Sequence, residues 1–134
     1  MKQISPPLAI AICTSFLTAC FGDETLRAHG GGDSTWHLRE IDNAAVSAAT
    51  TLTFPRPGVL TGELPCNRVT GRLTTPYPWF EVEALATTRM VCPALREETE
   101  ILTTLKVMEI VEIKGDVMIL SNEAGREMVF SAAE

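Results

Sequence analysis

Aromatic side chains are scarce in this chain, at 6% of its residues, and histidine occurs only twice. No basic run is present either, and the arginines are scattered singly. Each shortage excludes something. Nucleic-acid binding draws on clustered positive charge that neutralises phosphates, and there is none to draw on. An aromatic-lined groove for a sugar or nucleotide has little material to build from. A zinc site needs further ligands at recognisable spacing, so no metal or cofactor is expected. Long apolar runs are missing as well: Leu8 to Leu17 is mostly apolar, but a bilayer span needs about 20 such residues.

That short run makes better sense as part of an export signal. Lys2 supplies a positive start, the apolar stretch follows, and Leu17-Thr18-Ala19-Cys20 closes the segment. A branched apolar residue, two small ones and a cysteine resemble the lipobox of bacterial lipoproteins. That resemblance implies cleavage before Cys20, with a diacylglycerol on its sulfur and a further acyl chain on its amino group. Two or more chains anchor stably where one binds only marginally. Residues 1–19 are therefore expected to be a signal peptide and Cys20 the lipidation site. Phe21 follows where an inner-membrane lipoprotein would carry Asp, so an outer-membrane lipoprotein facing the periplasm is expected if the source is Gram-negative.

Removal of residues 1–19 leaves 115 residues, with all 17 acids, 10 of the 11 bases and a formal charge of −7. Residues 20–34 contain Gly30-Gly31-Gly32 and few apolar side chains, the composition of a flexible tether. As a coil, Phe21 to Ser34 would reach roughly 20 Å. The domain is expected at 35–134, and His29 in the tether reads as a solvated side chain.

Of four cysteines, Cys13 leaves with the signal and Cys20 takes the lipid. Cys66 and Cys92 remain, an even pair in a compartment that permits disulfides. A disulfide is the expected state. The rival is an enzyme using free Cys66 with His37, the only histidine in the folding region.

Period-two alternation runs through most of the rest. Trp36 and Leu38 alternate with His37 and Arg39. Thr51 to Phe54 reads as a strand stopped by Pro55, and Val59 to Leu64 returns after the Pro57-Gly58 turn. Asn67 to Thr74 continues, with Gly71 as a bulge or point of close approach. Trp79 to Leu85 places Phe80, Val82 and Ala84 on one face. Glu81 and Glu83 fall on the other, where a solvated pair is a better reading than acid–base chemistry. Ala94 to Lys106 has helical spacing in Leu95, Ile101, Leu102 and Leu105, with Glu97, Glu98 and Glu100 suiting the N-terminal dipole. Met108 to Lys114 and Val117 to Ser121 flank the hairpin pair Gly115-Asp116, and Glu127 to Ser131 ends the series. The expectation is a mostly β, single-domain, barrel-like meander of about seven or eight strands with one helix.

Several of these stretches carry a family signature. Trp36-x-Leu38-x-x-Ile41, Gly62, Cys66-Asn67-Arg68-Val69-Thr70-Gly71, Thr87-Thr88-Arg89-Met90-Val91-Cys92, and Glu97 and Glu100 before Leu102 and Leu105 resemble the META domain family, that of HslJ-like heat-shock lipoproteins. The resemblance extends from about Trp36 to Phe130. It implies a β-barrel-like domain with a helix across one end or side, and an association with heat induction and novobiocin resistance without an established molecular activity. Asn67, Gly71 and Arg89 read as structural: Asn67 bonding its own backbone in a tight turn, Arg89 pairing with a carboxylate to pin the loop before Cys92.

The functional expectation is a non-enzymatic, lipid-anchored envelope protein that supports membrane integrity or stress and drug tolerance by binding a partner. A second expectation, from likeness to pilot lipoproteins, is a carrier holding an acyl chain or other apolar ligand inside the barrel.

Overall fold

The computed structural model describes residues 22–133; residues 1–19 and Cys20 lie outside them. Alternating burial along the chain follows from strands with one face turned inward. In β1 (Trp36–Ile41) Trp36, Leu38 and Ile41 are buried, and β2 (Ala44–Ala45) folds back on it. Then come β3 (Thr51–Arg56), β4 (Val59–Glu63), β5 (Arg68–Leu73) and β6 (Val82–Thr87). Helix α1 (Leu95–Lys106) precedes β7 (Ile110–Lys114), β8 (Val117–Ser121) and β9 (Glu127–Ala132).

All pairings are antiparallel, in the order β6-β5-β4-β3-β1-β9-β8-β7, with β2 pairing β1 off that path. The sheet curls into a half-barrel. Its two edges meet through the residues just before β6: Phe80 N–H donates to the Glu109 carbonyl (2.8 Å), and Val111 N–H to that of Pro78 (2.8 Å). A short bridge thus ties one edge of the sheet to the other. Trp36, Phe54, Phe80 and Phe130 are the largest side chains in the interior, all essentially out of solvent. Each such burial stabilises by roughly 1.5–3 kcal/mol.

Two hairpin turns follow from backbone conformations their residues tolerate. Gly115 takes φ 60° between the paired ends of β7 and β8. Asp42 and Asn43 take φ 50° and 65° between β1 and β2, the pattern of a type I′ turn that Asp and Asn accept.

The described part of the expected tether, residues 22–34, is not free. Leu26 is buried in the main core, and Arg27 donates to the carbonyls of Gly32 and Phe54 (2.8 Å each). The Trp36 indole donates to the Gly31 carbonyl (3.2 Å), and His29 stacks on Tyr77 with ring centres 4.4 Å apart. Low apolar content misled here because one leucine and backbone carbonyls suffice to dock the segment.

Two smaller expectations also change. β3 runs through Pro55, which sits at a register shift where no ladder donor is required. In β6, Ala84 takes φ 50° and is exposed, so Leu85 packs against the core in its place.

Candidate functional site

The signature residues assemble at the start of α1. Cys66 lies in the turn between β4 and β5 and is disulfide-bonded to Cys92, with Cα atoms 5.6 Å apart. Asn67, 6% exposed, follows it. Its side-chain oxygen accepts from the Met90 N–H (2.6 Å) and the Thr88 hydroxyl (2.9 Å), and its amide donates to the Met90 carbonyl (3.0 Å). Asn67 therefore bridges two loops distant in sequence, rather than bonding its own turn as expected.

The group that completes the arrangement is Glu98, only 2% exposed. Oε2 accepts the N–H groups of Cys66 (2.6 Å) and Asn67 (3.0 Å), while Oε1 accepts Nδ2 of Asn67 (2.6 Å). A carboxylate is tolerated inside a protein when such donors replace its water. It sits in the first turn of α1, where the helix dipole also favours negative charge. The sequence assigns Glu98, with Glu97 and Glu100, only a favourable place in the helix dipole. The signal was present, since Glu98 lies three and seven residues before Ile101 and Leu105, on the buried face.

The other named positions divide. Gly71 is buried in β5, where a Cβ would lie 2.8 Å from Val82 Cγ1, and the β5–β6 register shifts around it, as expected. Gly62 is equally constrained, its Cβ falling 2.5 Å from the Thr51 carbonyl oxygen. Arg89 is exposed, and among the described residues it makes no ion pair, so it does not pin the loop. Asn67 and Glu98 do that instead. Glu81 and Glu83 are both exposed, with Glu83 4.0 Å from Arg72. His37 is half-buried in β1, paired with Thr51 and Ser131. Cys66, its supposed partner, has its sulfur bonded to Cys92.

The far end of α1 presents a different surface. An open groove of about 800 Å³ runs between Trp79, Phe80 and Thr75 on one side and Val107, Glu109 and Glu123 on the other. Trp79 is 58% exposed and Val107 45%. Among the described residues no cluster of three or more His, Cys, Asp or Glu could hold a metal, and no helix is long and apolar enough to cross a membrane.

A curled antiparallel half-barrel, closed by a bridge before β6 and laced to its helix by a disulfide and a buried Asn–Glu pair, defines a small β-rich domain. The chain belongs to the META domain family, whose model matches residues 27–134. That match begins within the docked segment, ahead of the boundary expected at residue 35. Two solved structures share the fold. The NMR structure of a protein from Burkholderia xenovorans superposes with a TM-score of 0.63 at 21% identity, covering 99% of each chain. The crystal structure of a duf4847 family protein from Bacteroides vulgatus gives 0.59 at 13% identity, over 77% of this chain and 94% of that one. No curated protein matches the chain.

Proposed function

We propose that this is a non-enzymatic, lipid-anchored protein of the bacterial cell envelope, held at the outer membrane through Cys20. On this reading it supports membrane integrity under heat or drug stress by binding a partner. The observation that carries it is the use of the signature residues: Asn67, Thr88, Cys66 and Cys92, together with Glu98, bond to one another and hold three segments together. Their polar atoms act as structural donors and acceptors, a role suited to a rigid binding scaffold. The Leu17-Thr18-Ala19-Cys20 sequence supports the anchor. A barrel interior filled by Trp36, Phe54, Phe80 and Phe130 favours surface binding over a carrier with an internal ligand.

The test is genetic. Deleting the gene and heating the cells should raise uptake of an apolar fluorescent dye, and the full chain should restore the barrier while Cys20→Ala does not. Equal uptake with and without the gene overturns the envelope role, and full rescue by Cys20→Ala overturns the anchor. Saturable, displaceable binding of a fluorescent fatty acid by the protein would favour the carrier instead.

A further inference from the structure

The groove beside Trp79 lies where the chain enters the domain. Tyr77 N–H donates to the Glu24 carbonyl (2.8 Å), so the segment leading from Cys20 is pinned two residues from Trp79. Thr75 lines both the narrow cleft under Thr25 to Arg27 and the groove that holds Trp79. From Glu24 back to Cys20 there are four peptide steps, which reach at most about 14 Å. That is about one radius of gyration for a domain of this size. An anchor at Cys20 therefore cannot present an arbitrary face to the bilayer, as a 20 Å coil would have allowed.

We propose that the face carrying Trp79 and Val107 rests on the phospholipid surface, with the Trp79 ring at headgroup level. The inference depends on the anchor at Cys20 and adds an orientation to it. Trp79 suits that depth, because an indole has an apolar body and one polar N–H and is enriched at membrane–water interfaces. Glu81, Glu109 and Glu123 outnumber Lys106 around the groove, so the contact is shallow and suits zwitterionic lipid. Of the other exposed large apolar side chains, Val117 begins β8, while Met90, Val91 and Leu95 stand at the opposite end of α1, about 18 Å along a twelve-residue helix.

Two tryptophans in opposite environments make this measurable, since Trp36 is 0% exposed within the core. The lipidated full chain is reconstituted in phosphatidylcholine vesicles, with and without bromine-labelled acyl chains, and recovered by flotation. Bromolipid should quench the emission by up to the share of one of the two tryptophans. Trp79→Phe should abolish that quenching, and adding Val91→Trp to it should not restore it. A chain that floats with Trp79 unquenched, or is quenched through position 91 instead, overturns the orientation alone. A chain that does not float overturns the anchor and the orientation together.

Discussion

The two ends of α1 are built on opposite plans. At its N-terminal end, the polar atoms of Asn67 and Glu98 are buried and matched, and a covalent link stands beside them. At its C-terminal end, large apolar groups stand in solvent and the polar anchorage is only partly buried. There Arg126 joins the exposed Asp42 (2.7 Å) to the buried Thr104 hydroxyl (3.1 Å). Buried, matched polar groups make an end rigid and intolerant of change; exposed apolar groups contribute little to stability and remain available for contact. The first end fixes the fold, and the second leaves apolar surface uncovered.

Removing the disulfide should break this contrast most. With the cysteines 26 positions apart, Cys66→Ser with Cys92→Ser should cost about 3.5 kcal/mol in the chain-entropy model, read by urea denaturation. Glu98→Ala comes next, at about 3 kcal/mol, because three buried N–H donors lose their acceptor. Glu98→Gln keeps one acceptor oxygen and should lose less. Asn67→Ala should cost about 2 kcal/mol and expose the 88–91 loop to protease. Trp79→Ser at the other end should change stability by less than about 0.5 kcal/mol. A large loss there would mean that the groove is structural.

The smallest effect concerns acid. Asp42 has its carboxyl held below the ordinary value of 3.8, first by the Glu127 N–H and then by Arg126. A depressed folded value means that its contribution is complete above the unfolded value and disappears as pH falls through the lower folded one. Asp42→Asn should therefore lower the neutral plateau of a thermal-melting profile slightly and flatten its acid limb, the two proteins converging at low pH.

Much of the strand order was legible because period-two alternation survives wherever one face is buried, as at Trp36 and Leu38 or at Met118 and Leu120. The cysteine pairing followed from counting. The partnership of Asn67 with Glu98 was hidden because glutamate on a helix surface is so ordinary. Its register with Ile101 and Leu105 separates it from Glu100 but not from Glu97, which lies four residues before Ile101. The docking of residues 25–34 was hidden for another reason. It rests on Leu26, on ring stacking by His29 and on carbonyls that every residue possesses.

The kink at Ala84 bears on how copies of the protein behave at high density. β6 is the last strand on its side of the sheet, with outward backbone groups that could template strand addition by a neighbour. A left-handed residue in mid-strand, with acidic Glu83 before it, spoils the flat register that such stacking needs. A molecule crowded by its own copies is thereby discouraged from fibrous self-assembly, and straightening that bend would invite it.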